Sequence, residues 1–339
     1  MPRDLITATS NTVSALRALA DRARDYTAQA KSENTRRAYA SDWRAFVHWC
    51  NQHKLCPMPA GAATLAAYLT AHAGILKVST LTRRLSAVRE AHRYAGFDID
   101  TSSIAFRDLW RGIRRAHGAP ARQKAPLLTS GLRKAIAALP DTILGRRDRA
   151  LLLVGFAAAL RRSELVTLEV RHREGALGWI EETAEGLKVN LARAKADQEG
   201  EGAAVGVPYG VNPETCPVRA YRDWVAVSGI TDGPAFRSIN RHGQMGAYAL
   251  AGRSVARIVK RAIVAAGVAE GLSVEEAEVQ AEQFAGHSLR AGLATSAAAN
   301  DAPGHAIQRQ LRHARFDTTI KYIRAGNLFK GNAAGMAGL

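Results

Sequence analysis

The stretch Gly118-Ala119-Pro120-Ala121-Arg122-Gln123-Lys124-Ala125-Pro126 constrains the fold more than any other feature of this chain. Its prolines remove amide donors and push the residues before them away from helical backbone. No large apolar residue anchors it, so it reads as a linker between two separately cored units. The chain has 339 residues, enough for two domains. The expected bounds are a 1–30 extension, a helical unit at 31–117, a linker at 118–127, a second unit at 128–325 and a tail at 326–339.

Before the break, only helical spacing is found. Ser32-Glu33-Asn34-Thr35 offers capping residues ahead of Tyr39, Trp43, Phe46 and Val47. Ala62–Ala73, Thr80–Ala95 and Ile104–Ala116 continue the pattern, and Leu16, Leu19 and Ala23 suggest a short helix in the extension. After the break, a helix is capped by Thr129 or Ser130 and runs to Leu139. A buried helix spans Arg146–Phe156. The period changes beyond Leu168. Gly178–Glu181, Leu187–Leu191 and Ala203–Pro208 read as short strands. Pro217–Val227, Arg253–Ala266, Ser273–Ala285, Ser288–Asn300 and the segment around Ile307–Leu311 return to helix. The expected fold is mainly α, with a small antiparallel β-sheet in the C-terminal domain.

Lys and Arg outnumber Asp and Glu by 47 to 30, a net charge of +17. A polyanionic partner follows, nucleic acid before membrane; a basic ribosome-associated protein has the same balance. Cys50, Cys56 and Cys216 are odd in number and lack metal-ligand spacing, so free thiols in a reducing compartment are expected. No signal-like N-terminus and no run of membrane-spanning length is seen. The expected location is the cytoplasm, at the nucleoid.

The densest chemistry lies in the last third. Gly286-His287-Ser288-Leu289-Arg290 precedes Leu311-Arg312-His313, and Tyr322 stands nine positions after His313. Strand transfer at a phosphodiester needs a nucleophile, cations on the non-bridging oxygens, and groups that move protons. Arg161 and Arg290 lie in apolar contexts where an unpaired guanidinium is costly, so each needs an anion. An internal ion pair with Glu164 satisfies Arg161 equally well. His287 and Arg290 share a helix face, and a His holds or moves a proton near neutral pH. Taken singly, His287 and His313 also fit surface or capping roles. Lys195 follows a strand and fits a solvated hairpin as well as a proton donor, and Tyr322 fits an amphipathic packing position.

Together these residues resemble the tyrosine recombinase (phage integrase) family, in particular a Cre-like site-specific recombinase. Ala159-Leu160-Arg161-Arg162-Ser163-Glu164-Leu165 is similar to its first box. Gly286–Arg290 is similar to the His-x-x-Arg box. Leu311-Arg312-His313 is similar to the Leu-Gly-His box, with Arg where Gly is usual. Thr318-Thr319 and Tyr322 match the nucleophile segment, and Tyr322-Ile323-Arg324 looks Cre-like. The departure at Arg312 puts only the local turn in doubt, because Gly readily adopts positive φ.

The resemblance implies that Tyr322 attacks the scissile phosphate, giving a 3′-phosphotyrosyl link and, later, a Holliday junction. Arg161 and Arg290 clamp the phosphate, and Glu164 orients its neighbours. His287 accepts a proton or hydrogen bond, His313 bonds the phosphate, and Lys195 protonates the leaving 5′-oxygen. No cofactor and no metal is implied. The implied partners are double-stranded DNA with inverted-repeat target sites and a homo-tetramer on two sites; no membrane is involved. The two domains would clamp the duplex. Arg36, Arg37, Arg44, Lys77, Arg83 and Arg84 are contact candidates in the first; Arg241, His242, Arg253, Arg257 and Lys260 are candidates in the second. About half of the first set fits a solvated basic face as well. Leu328, Phe329, Met336 and Leu339 suggest a tail exchanged between subunits, or one docked on its own domain. The rivals are a binding protein without catalysis and a type IB topoisomerase.

Overall fold

The computed structural model describes residues 15, 17–24, 26–27, 30–120, 123–192, 202–326 and 337. Lys195 and the tail residues Leu328, Phe329, Met336 and Leu339 lie outside the described residues. The chain divides into units 1–122 and 123–339.

The first unit is helical: α1 (Glu33–Gln52), α2 (Ala62–His72), α3 (Val78–Tyr94) and α4 (Ile104–His117). Ser32 and Ser103 cap α1 and α4 through their hydroxyls. One face of each helix supplies the core, which holds Phe46, Leu65, Tyr68, Leu81, Val88 and Phe106. Buried among these is Asp42, which accepts two hydrogen bonds from Arg83, at 2.7 and 3.1 Å.

The second unit opens with α5 (Thr129–Ala137), α6 (Ile143–Ala157) and α7 (Arg162–Val166). Strands β1 (Leu168–Glu169), β2 (Gly178–Glu182), β3 (Gly186–Leu191) and β4 (Ala203–Pro208) form one sheet in that order. It is antiparallel from β2 to β4, while β1 joins in parallel. Then come α8 (Pro217–Ser228), the hairpin β5 (Arg237–Ile239) and β6 (Met245–Ala249), α9 (Gly252–Ala269) and α10 (Val274–Ala281). Finally, α11 (Ser288–Ala299), α12 (Gly304–Leu311) and α13 (Phe316–Gly326) carry the last three motifs. The core is Leu151, Leu152, Val189, Val205, Trp224 and Val259 with their neighbours.

Several boundaries differ from the sequence reading. Residues 123–127 belong to the second unit, where the Ala125 and Leu127 amides donate to the Gln283 and Ser288 carbonyls. Thr129 is the first residue of α5 and not its side-chain cap; its amide donates to Ser296 Oγ on α11, at 3.1 Å. That helix end is satisfied from another helix, which no local pattern records. Gly292 lets α11 close on this segment: a Cβ there would stand 1.9 Å from the Leu127 carbonyl oxygen.

Candidate active site

Arg161 is positioned by an unusual turn. α6 ends at Ala157, and Ala159 adopts φ +48° before Arg161 caps α7. Left-handed backbone at Ala is strained and persists only when its surroundings hold it. Three side chains from α11 and α12 do so. Gln310 Nε2 donates to the Ala157 carbonyl at 2.7 Å, and Arg290 Nη1 to that of Ala159 at 2.7 Å. Arg312 Nη1 donates to the Ala158 carbonyl at 3.1 Å.

Glu164 sits in the middle of the cations. Its Oε2 accepts from the Arg161 amide at 2.9 Å, and its Oε1 from Arg161 Nη1 at 2.6 Å. The same Oε2 accepts from Arg312 Nη2 at 2.8 Å. Burial alone would raise the Glu164 carboxyl; the Arg312 charge and the Arg161 amide and guanidinium outweigh it and hold it below the usual carboxylate range. The ion pair anticipated as an alternative role for Arg161 is therefore present. It does not consume Arg161, whose Nε and Nη2 show no partner among the described residues.

Arg290 is 1% exposed. Besides Ala159, it donates from Nη2 to the Leu311 carbonyl. Burial first, then Arg161 and Arg312, pull its pKa down to about 10. It stays cationic at neutral pH and keeps the second hydrogen of each terminal nitrogen for an anion.

His287 stands at the N-cap of α11, and its Nε2 lies 3.1 Å from Tyr322 Oη on α13. Burial, then Arg290 and Arg161, lower the His287 pKa. That shift favours the neutral ring, whose Nε2 accepts the phenol proton when the ring's own hydrogen is on Nδ1. Burial raises the Tyr322 pKa while Arg290 and Arg161 oppose it. His313 Nδ1 lies 2.9 Å from Oγ1 of Thr319, a fully buried residue. The His313 ring stacks near Tyr322 at 6.0 Å. Gly304 lets α12 approach α13: a Cβ there would come within 2.9 Å of the Phe316 ring.

His313 is depressed to about 4, by burial first and then by Arg290 and Arg161. An unfolded His takes its proton near 6.5. The folded state therefore binds fewer protons between those values. The stability linked to His313 is complete above pH ~6.5 and is lost as pH falls toward 4. A ring NMR titration of the DNA-free chain is expected to show this; a midpoint at or above 6.5 contradicts it.

Of the seven expected catalytic residues, Arg161, Glu164, His287, Arg290, His313 and Tyr322 converge here, and Lys195 lies outside the described residues. Arg312 does more than shape the local turn. It adopts φ +54°, and its guanidinium is also buried against Glu164. An Arg following buried Leu311 at a helix end was the signal.

Two family models match the chain. Residues 127–327 match the phage integrase family, and residues 25–96 its N-terminal SAM-like domain. This chain belongs to the phage integrase family of tyrosine recombinases. Such enzymes cleave DNA and exchange strands in site-specific recombination. The recombinase is 37% identical over 310 residues to an integrase/recombinase XerD homolog of Selenomonas ruminantium, covering 90% of this chain and 85% of the relative. It is 26% identical to the tyrosine recombinase XerC of Pseudomonas putida strain W619, covering 86% and 85%. Its fold is similar to XerH bound to its difH substrate before cleavage, with a TM-score of 0.56, 15% identity, and coverage of 89% and 78%. A lambda integrase dimer on a core site gives a TM-score of 0.57, 16% identity, and coverage of 93% and 96%. These relatives include Xer-type recombinases, so Tyr322-Ile323-Arg324 does not single out Cre.

The expected DNA contacts separate by environment. Arg36, Arg44 and Lys77 are exposed, and exposed Arg37 pairs with Glu33 on the same helix. Arg83 is held by Asp42. Arg84 is not a free surface cation: Nη1 donates to Tyr68 Oη at 2.7 Å, and the guanidinium stands over that ring. In the second unit, Arg241 and His242 are exposed in the β5–β6 turn, and Arg253 and Arg257 are exposed on α9. Lys260 pairs with Glu282. Among the described residues, no group of three or more His, Cys, Asp or Glu is placed to hold a metal, and no helix is long and apolar enough to cross a membrane.

Proposed function

We propose that Tyr322 is the nucleophile of a site-specific recombination reaction that runs through a 3′-phosphotyrosyl intermediate and a Holliday junction. The observation that carries this is the 3.1 Å approach of Tyr322 Oη to His287 Nε2, beside buried Arg290 and partly exposed Arg161. The phenol oxygen forms a bond to the scissile phosphorus as His287 Nε2 takes its proton. Arg161 and Arg290 hold the developing charge, where fixed donors stabilise most. The bond to the 5′-oxygen breaks, and Lys195 returns a proton to that oxygen. The 5′-hydroxyl of a second strand then reverses the step. No bond energy is lost, so neither nucleotide nor metal is required.

The test is a covalent trap. The recombinase is incubated with fragmented DNA of its source replicon, quenched with SDS, and the protein-linked DNA sequenced. Adducts at a site flanked by inverted repeats, unchanged by EDTA, are expected. Scattered adducts would favour the topoisomerase, and tight salt-sensitive binding without adducts would favour a binding protein.

Duplex DNA is gripped by both units in this reading. Arg241 and Arg257 line a pocket of about 340 Å³ whose other arginines, Arg147 and Arg261, are paired with Asp148; the exposed Arg241 and Arg257 are suited to phosphates. Arg253, free at the start of α9, is the base-reading candidate. Arg253→Ala is expected to relax preference at one base pair by about 1–3 kcal/mol. Lys260→Ala is expected to weaken all sequences alike, and weakly, because Glu282 already engages that ammonium. Binding to a panel of single-substituted sites separates the two; a uniform loss for both removes Arg253 from base reading.

Assembly as a homo-tetramer on two sites is supported by an apolar groove of about 560 Å³, lined by Leu132, Leu153, Phe156, Leu293, Ile307 and Leu311 among others. The tail of a second copy, with Leu328, Phe329, Met336 and Leu339, is its proposed occupant. Deleting 326–339 is expected to abolish tetramers on DNA while monomer binding persists. Unchanged assembly by sedimentation removes the tail from that role. Action in the cytoplasm at the nucleoid follows from a DNA substrate.

A further inference from the structure

Arg312 lies where the family's box has Gly, yet its side chain is 8% exposed and fully engaged at the guanidinium tip. Its Nη2 reaches Glu164 Oε2 at 2.8 Å and the Ala159 carbonyl at 3.3 Å. Its Nη1 reaches the carbonyls of Ala158 and Gln310 at 3.1 and 3.2 Å. Only Nε is buried without a partner. Left-handed backbone at a non-glycine residue carries a cost, and these bonds offset it.

The arrangement has two consequences. The first is electrostatic. Were Glu164 shared with Arg161 alone, that pair would be neutral and Arg290 would face the phosphate as the single net charge. With Arg312 on Oε2, two guanidiniums share the carboxylate while Arg290 bonds backbone carbonyls nearby, and the cluster of three cations and one anion keeps two positive charges. The second is mechanical. Arg312 precedes His313 and ends α12, whereas Ala158–Ala159 is the turn that aims Arg161. Its fork therefore ties the nucleophile-bearing end of the unit to the first box across about 150 residues of chain.

We propose that Arg312 is a positioning residue for strand cleavage: it holds one oxygen of Glu164 and the strained Ala158–Ala159 turn, so that Arg161 remains directed at the scissile phosphate. This rests on the reading of Arg161 and Tyr322 as catalytic groups. A group acting through placement governs the chemical step and not DNA affinity, and misplacement on the ångström scale costs up to about 100-fold in rate.

The experiment compares wild type, Arg312→Gly and Arg312→Lys. Gly is the variant a backbone-only role would favour, since it relieves the positive φ. Lys keeps the charge but lacks the fork. Single-turnover cleavage is measured on the duplex recovered by the covalent trap, together with DNA affinity. Arg312→Gly is expected to cleave about 10- to 100-fold more slowly, with affinity within about twofold. Arg312→Lys is expected to recover part of the rate. A scissile methylphosphonate, which lacks one anionic oxygen, is expected to shrink the Gly defect. Wild-type cleavage by Arg312→Gly overturns the proposal, as does an equal loss in affinity. Amide exchange over residues 158–166 in the DNA-free chain adds a second readout. It is expected to speed up by about tenfold in Arg312→Gly, and unchanged exchange overturns the proposal. If wild type forms no Tyr322-dependent adduct, the nucleophile reading fails, while exchange still decides whether Arg312 holds the turn.

Discussion

Tyr322→Phe is expected to abolish the SDS-resistant DNA adduct while leaving affinity for the same DNA within about twofold. Only one atom is removed. The Tyr322 hydroxyl's hydrogen bond is to His287 Nε2, and the ring keeps its place beside His313. Losing one partly exposed hydrogen bond costs about 0.5–1.5 kcal/mol of stability, so the protein stays folded. The chemical loss is total, because phenylalanine has no oxygen to bond phosphorus. An adduct persisting in the Phe variant would show that another side chain attacks, and would end the assignment of Tyr322. The pH dependence carries the same logic. His287 is depressed below its ordinary value, so the proton acceptor stays available through neutrality. Adduct formation by wild type is expected to hold level down to pH ~6.5 and to fall only in more acid solution.

Glu164→Ala is expected to destabilise the second unit by about 3–5 kcal/mol, the usual cost of removing one partner from a buried ionic cluster. Arg312 and Arg290 are almost wholly buried, and Arg161 is 21% exposed. Without the carboxylate, three cations repel one another with no internal anion. Glu164→Gln keeps the shape and an acceptor oxygen, so its loss is expected to be smaller. The native Glu164 pKa lies below its unfolded value. Its contribution to stability is thus present above pH ~4.5 and is lost as pH falls through the depressed native value. Urea unfolding followed from the second unit's tryptophans, Trp179 and Trp224, measures both effects. Equal stability of wild type and the Ala variant at pH 7 would mean that solvent already screens the cluster.

Most helices of both units were legible because their apolar faces repeat at helical spacing; α7, only five residues long, and α13, which carries Tyr322, had no helical expectation. Among the helices that were expected, α10 departs most. It stops at Ala281, four residues before the expected end, because the chain there turns to bond the 123–127 segment through the Gln283 carbonyl. The β5–β6 hairpin had no strand expectation. Its strands are three and five residues long, and Tyr248 on β6 is 84% exposed, so no alternation of buried and exposed faces marks it. The two-residue β1 is too short to show any period. Arg84 looked like any basic surface residue, since a bond to Tyr68 from another helix leaves no local trace.

The sequence by itself determined the division into two units, the helical character of the first, the order of the motifs and the family. Those features live in composition, local period and spacing. Tertiary structure alone decided that Tyr322 reaches His287 within one chain, that Glu164 is divided between Arg161 and Arg312, and that Ala159 and Arg312 hold left-handed backbone against each other. Each of these depends on groups 35 to about 150 residues apart. Burial turns such contacts into charge pairing and pKa shifts, and burial is set only when the whole unit has packed.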